Sequence, residues 1–320
     1  MSAATQLSTL YEYLPKVITK FNSRMIEAIK YGTHAMQSLP IEQSLSPIDQ
    51  NYEYLENDYD VGVGYELDVV NPPEAAFTDE YKNIQTPVAY ANLRLSYDQL
   101  RRYNADPFSL QMRLMKLQRI LMRRINLISY MGDTKYSINA LGSATPFEAP
   151  DTGFDVSTIA KISETISTAK GQLEADLLYD EYYTSAPLIV MGTPDVEESI
   201  IQALDTNQVT NGLTFMNEML REITGNASSR FIKNPYLGGS YDVNDAGVAT
   251  ITPGSDCMAI YYQHPDLMKL LFSGVETRIS PLDTTKGQTF QPIMRNTRLD
   301  VKSGAASGAG LIDTDITGVP

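Results

Sequence analysis

Hydrophobic positions recur along the chain at two different spacings, and the spacing changes where the predicted elements change. Over residues 8–38, Tyr11, Leu14, Ile18, Phe21, Met25 and Ile29 recur every three or four positions, which predicts one amphipathic helix. Pro40 and Pro47 end it and lead into an irregular arm. Residues 49–97 lose that period. Val61-Gly-Val-Gly-Tyr65 and Asn71-Pro-Pro73 are turn signals, and Leu93, Leu95 and Tyr97 alternate as in a strand, so a long hairpin-like loop is predicted. Asp106-Pro107 then opens the clearest helix, with Asp as N-cap and Pro at the first helical position. It runs to about Met131 and closes at Gly132. Leu110, Leu114, Met115, Leu117, Leu121, Met122, Ile125 and Ile128 fall on one arc of this helix, and Arg113, Lys116, Arg119, Arg123 and Arg124 on the opposite one.

Residues 145–154, rich in Pro, Gly and acids, mark a boundary, after which helices and strands alternate. Val156, Ile159, Ile162 and Ile166 predict a helix, and Pro187-Leu-Ile-Val-Met191 a short buried strand. Thr193-Pro194 caps a second helix with Val196, Ile200 and Leu204 on one face. Phe215, Met219, Leu220 and Ile223 predict a third, closed by Gly225, and Met258 to Tyr262 a further strand. Over 275–303 the pattern is strand-like, with Arg295, Thr297, Leu299 and Val301 alternating with Asn296, Arg298, Asp300 and Lys302. The fold class is therefore α+β.

Charge sharpens this picture. The 320 residues carry 25 basic and 39 acidic side chains, a net charge of −14, which excludes a uniformly basic nucleic-acid binder. The charge is segregated. Asp49 to Glu80 holds ten acids and no Lys or Arg, whereas Arg101 to Arg124 holds seven basic residues and the single acid Asp106. Each block reads either as a solvated face or as one half of a contact between copies. A single cysteine, Cys257, excludes an intramolecular disulfide. A chain of this length buries about three quarters of its unfolded surface and needs neither disulfide nor metal to hold a core. With no basic-then-apolar start after Met1 and no membrane-length apolar run, a soluble cytoplasmic protein is expected.

Chemistry is thinly supplied. His34 and His264 lie in no metal-binding spacing, and each reads as an ordinary hydrogen-bonded histidine. Cys257 reads as a small buried hydrophobe beside Asp256. Gly62-Val-Gly64 lacks the third glycine of a dinucleotide loop, and Asn226-Ala-Ser228 is a sequon without secretion. The carboxylates are many, yet their spacing selects no pair, so a cytoplasmic carboxylate-based hydrolase stays as an alternative without named residues. No cofactor is expected. The abundant tyrosines suit an interface.

The succession of elements, with Tyr90-Ala-Asn-Leu-Arg-Leu-Ser-Tyr-Asp-Gln-Leu-Arg101, Ile128-Ser-Tyr-Met-Gly-Asp133, Asn139-Ala-Leu-Gly142, Lys269-Leu-Leu-Phe-Ser-Gly274 and Gln288-Thr-Phe-Gln-Pro292, resembles the major capsid proteins of tailed bacteriophages. These have the Hong Kong 97 type fold, shared with encapsulin compartments. The resemblance implies an N-terminal arm (1–48), an extended loop (49–105), a peripheral domain with a spine helix (106–150), an axial domain (151–265) and peripheral return strands (266–320). It implies a structural, non-enzymatic subunit of hexamers and pentamers that encloses double-stranded DNA without sequence specificity. Assembly would take place in the host cytoplasm, with separate scaffolding, portal and decoration proteins as candidate partners and no membrane. An encapsulin-like shell is the alternative within the fold. Some members join a loop lysine to a neighbour's asparagine; Lys82 and Asn296 hold comparable places, but no feature of the sequence supports such a bond. Glu53, Glu56, Asp58 and Asp60 on the loop are predicted to meet Arg113, Lys116, Arg119, Arg123 and Arg124 of a neighbouring copy. Residues 205–214 and Leu237-Gly-Gly239 are expected around the capsomer axis.

Overall fold

The computed structural model describes residues 33–46, 51–60, 76–96, 98–99, 107–133, 136, 138–141, 147–203, 211–243, 249–281, 287–300 and 310–319. In chain order these form α1 (His34–Ser38), β1 (Ile41–Glu42), β2 (Asn51–Asp60), β3 (Ala76–Gln85), β4 (Val88–Tyr90) and β5 (Leu93–Leu95). Next come α2 (Pro107–Asn126), a π turn (Leu127–Met131), β6 (Phe147–Glu148), α3 (Ile159–Asp176) and α4 (Glu181–Thr184). Then follow β7 (Leu188–Gly192), α5 (Pro194–Gln202), α6 (Gly212–Thr224), β8 (Arg230–Lys233), β9 (Ser240–Val243) and β10 (Ala249–Thr252). The last five are β11 (Met258–Tyr262), β12 (Met268–Phe272), β13 (Glu276–Ile279), β14 (Gln288–Asp300) and β15 (Gly310–Asp313).

A five-stranded sheet, ordered β6-β15-β11-β7-β8, is buried on both faces. That is why β7 and β11 read as unbroken apolar runs rather than as alternating strands. Leu188, Val190, Met258, Ile260 and Tyr262 point to a core built with Ile162 and Ile166 of α3, Val196 and Ile200 of α5, and Met216 and Leu220 of α6. Ile189, Met191, Ala259 and Tyr261 point the other way, to a second core with Leu121 and Ile125 of α2, Tyr130, Leu270, Phe272 and Met294. Three of these tyrosines, Tyr130, Tyr261 and Tyr262, are interior residues and not the interface residues that composition suggested.

The second sheet is organised on β14. β12 pairs with residues 296–300 of β14 and β13 with residues 290–293, and the register shifts by one residue between them. The shift is a bulge at Ser273-Gly274, where Gly274 has a φ of 75° and Ser273 Oγ accepts Arg295 N–H at 2.8 Å. β4 and β5 share one register on the other edge and part opposite Pro292, which has no N–H to donate. β1 completes the sheet, parallel to β12.

Several boundaries differ from the sequence expectation. β6 lies in the predicted boundary and β15 in the predicted return segment, yet both belong to the five-stranded sheet: Phe147 pairs with Gly310 and packs edge-on against Tyr261. Two- to four-residue strands of this kind carry too few positions for periodicity to show. Residues 33–39, at the end of the predicted first helix, are packed into the core. Ala35 N–H bonds Asn126 Oδ1 at 3.2 Å, Ser38 Oγ shares a 2.6 Å bond with Tyr130 OH, and Tyr261 OH donates to Ser38 O. Residues 8–32 of the predicted helix, and Gly62 and Gly64, lie outside the described residues. Thr193 does not cap α5 with its side chain; its hydroxyl donates to Ser255 O.

Candidate inter-subunit surfaces

The predicted spine helix is present, but its last turn is a π turn. All five residues of that turn, Leu127–Met131, are buried, which one face of an α-helix does not allow. Gly132, with a φ of 69°, follows; a Cβ there would lie 2.3 Å from Ile138 O. Asp133 accepts from Arg124 at 2.7 Å. Arg298 of β14 reaches across from the second sheet: its guanidinium donates to Ser129 O (2.6 Å), to Asn139 O (3.0 Å) and to both carboxylate oxygens of Asp300 (2.8 and 2.9 Å). At 2% exposure it is a buried ion, tolerated because it is paired and its donors are used. The alternation over 275–303 placed it correctly opposite Arg295, but no sequence signal marked it as interior. Asn296, two residues before it, is also fully buried, with neither side-chain amide atom bonded.

Leu117, Leu121, Ile125 and Ile128 form the buried side of the helix, as expected. Met115 does not: with Met112 and Ile120 it lies exposed among Arg113, Lys116, Arg119 and Arg123. The outer face of α2 is therefore cationic and apolar together. Arg124, predicted to belong to this face, is half-buried and engaged with Asp133, so it supports its own subunit.

The long loop is a ten-rung antiparallel hairpin of β2 and β3, from Asn51 opposite Gln85 to Asp60 opposite Ala76. It forms a separate two-stranded sheet. Its base is tied to the second sheet: Tyr52 and Ile84 pack against Leu45, Leu271 and Leu299. Tyr52 OH donates to Glu42 Oε1 at 2.9 Å, and Lys269 Nζ meets Glu42 Oε2 at 2.6 Å. Burial opposes ionisation of Glu42, but the bonds from Lys269, Tyr52 and Ser44 outweigh it and hold its pKa below the usual range.

Register divides the predicted acidic residues. Glu56, Asp58 and Asp60 occupy alternate register positions in the set that also holds Tyr52, Tyr54, Glu80, Lys82 and Ile84, whereas Glu53 falls in the other set with Leu55, Tyr59, Phe77, Asp79 and Tyr81. Glu56 sits directly opposite Glu80, a like-charge rung that weakens a ladder. Carboxylates thus occupy both register sets of the hairpin, with three of the four predicted ones in the same set.

Cys257 is buried, and burial with Asp313 nearby raises its thiol pKa to about 12. His264 is half-buried between the rings of Tyr182 and Tyr183, its Nδ1 accepting Asp266 N–H. Burial lowers the pKa of both His34 and His264. Asn226 closes a turn by accepting Ser228 N–H. Leu237 is buried and a Cβ on Gly239 would collide with Met131, while Gly238 between them is exposed. Residues 204–210 lie outside the described residues. Burial raises the pKa of Glu148, helped by the charges of Asp176 and Asp151, and burial raises that of Asp176, helped by Asp151. Among the described residues no group of three or more His, Cys, Asp or Glu is placed to hold a metal, and no helix is long and apolar enough to span a membrane.

With this geometry in hand, comparison with solved structures is decisive for the fold. The capsid protein of Myoviridae Phage XM1 aligns over 88% of this chain and 91% of its own, with a TM-score of 0.60 at 13% identity. The chain has the Hong Kong 97 type capsid fold. A virus-like particle protein from Pyrococcus furiosus shares this capsid fold over 92% of this chain and 98% of its own (TM-score 0.54, 11% identity). The mature capsid of bacteriophage PhiM1 does so over 91% and 89% (TM-score 0.52, 10% identity). No family model and no curated protein matches the chain in sequence. The capsid fold is thus retained at identities where its sequence signature has almost vanished.

Proposed function

We propose that the protein is a shell subunit: a phage-type major capsid protein that self-assembles into hexamers and pentamers enclosing double-stranded DNA in the virion. The observation that carries this reading is likeness over nearly the whole chain to capsid structures. In this reading α2 and the β14-centred sheet make the peripheral domain, and the five-stranded sheet with its helices makes the axial one. The role is structural rather than enzymatic, and scaffolding, portal and decoration proteins are candidate partners during assembly in the host cytoplasm. Glu56, Asp58 and Asp60 of the hairpin then lie over the cationic α2 of a neighbour, where a basic partner relieves the Glu56–Glu80 rung. Electron microscopy and sedimentation of the purified chain test the reading. Closed shells or rings support it, and a uniform small oligomer overturns it. The double variant Arg119→Glu/Arg123→Glu is expected to abolish assembly and keep the monomer's melting temperature; normal particles at the same salt would refute the hairpin-on-helix contact.

A second reading, a compartment shell without a genome, is favoured by the likeness to the Pyrococcus furiosus particle. Particles that protect no nucleic acid when produced with their native partners would select it.

A further inference from the structure

Beyond the end of α3 the chain takes a conformation that its own folding does not reward. Leu178 and Tyr179 follow one another with a φ of 55° each, in the left-handed region that residues with a Cβ rarely enter. The turn is locked by hydrogen bonds from Leu178 N to Ala175 O and from Tyr179 N to Glu174 O. It presents both side chains to solvent: Leu178 is 86% exposed and Tyr179 69%. Tyr182, on the adjoining α4, is 57% exposed although its ring is fixed 4.5 Å from His264 and its hydroxyl donates to Asp266 at 2.6 Å. Asp180, Glu181 and Asp266 stand around these three residues in the same segments. The feature is a rigid apolar ridge with an acidic rim. It costs backbone strain and leaves large apolar side chains in water, so it gives nothing back within one subunit.

We propose that this ridge docks on the outer face of α2 of a second copy, at its Met112–Lys116 end. The inference rests on the shell-subunit reading. That end of α2 is the chemical complement of the ridge: Met112 and Met115 are exposed and conformationally adaptable, and Arg113 and Lys116 stand beside them. Arg119 and Arg123 lie farther along the same helix and stay available to the hairpin. One copy cannot satisfy both surfaces itself. α2 serves the core on one side of the five-stranded sheet, while α3 and Tyr183 serve the core on the other. The contact therefore joins two different surfaces, the kind that closes copies into rings.

Two experiments test it. The double variant Leu178→Gly/Tyr179→Gly relieves the left-handed strain and removes both side chains. It is expected to melt at or above the wild-type temperature and to lose at least tenfold in particle yield. Variants Tyr179→Cys and Met115→Cys, mixed before assembly and oxidised, should form a disulfide between copies; Tyr179→Cys with Arg123→Cys should not. Cys257 is buried and gives no background. Normal particle yield from the glycine variant, or particles with no Tyr179→Cys/Met115→Cys cross-link, overturns the contact and leaves the shell reading standing. A wild-type chain that never assembles overturns both.

Discussion

The five-stranded sheet and the β2–β3 hairpin are opposite solutions to the same backbone problem. In the sheet, β7 and β11 are paired on both edges and covered on both faces, so hydrogen bonds and burial are complete within one subunit. The hairpin is paired only with itself and held at its base by Tyr52, Ile84 and the Glu42–Lys269 pair. A lone two-stranded ribbon is marginal in water. Stability in this molecule is therefore concentrated where subunits are built, and withheld from the element that reaches outward.

That contrast can be broken from either side. Arg298→Ala should have the largest effect, about 3–5 kcal/mol, because it strands the Ser129 and Asn139 carbonyls and Asp300. Denaturant unfolding should show it as a global loss that includes the sheet. Glu42→Gln should cost only about 1 kcal/mol, since the pair is partly exposed. Hydrogen exchange should accelerate in the hairpin amides while those of β7 and β11 stay protected, which would show that the hairpin opens independently. Asp176→Asn should have the smallest effect, a gain of about 0.5 kcal/mol at neutral pH. The folded-state pKa of Asp176 is raised, so its ionised form is penalised in the folded state. Stability should therefore fall as pH rises from the ordinary carboxylate range through the raised pKa, and the variant should flatten that slope in melts at several pH values.

Legibility in the sequence follows the same division. α2, α3, α6, β7 and β11 are long or wholly apolar, and their patterns predicted each element, with β7 and β11 at nearly the observed bounds. β6, β8 and β15 are short strands that exist because a longer neighbour offers an edge, so tertiary pairing creates what local pattern does not contain. The charge segregation drew attention to the hairpin and α2, but which acids share a face depends on register, and Arg124 was lost to Asp133 through a turn that brings the two together. Leu178 and Tyr179 were invisible for a different reason. Nothing in a Leu-Tyr pair announces a left-handed backbone.

The place of β15 has a consequence in time. β6 finds its partner in β15, whose Gly310 pairs with Phe147 across roughly half the chain, and β15 also covers the edge of β11. Closing so long a loop delays the last pairings, as high contact order does generally. Until residues 310–313 have emerged and docked, two strand edges stay open to any passing chain. A nascent subunit is thus at its stickiest just before synthesis brings the strand that seals it, and a chaperone that shields β6 and β11 during that interval would raise the yield of competent subunits without touching the finished fold.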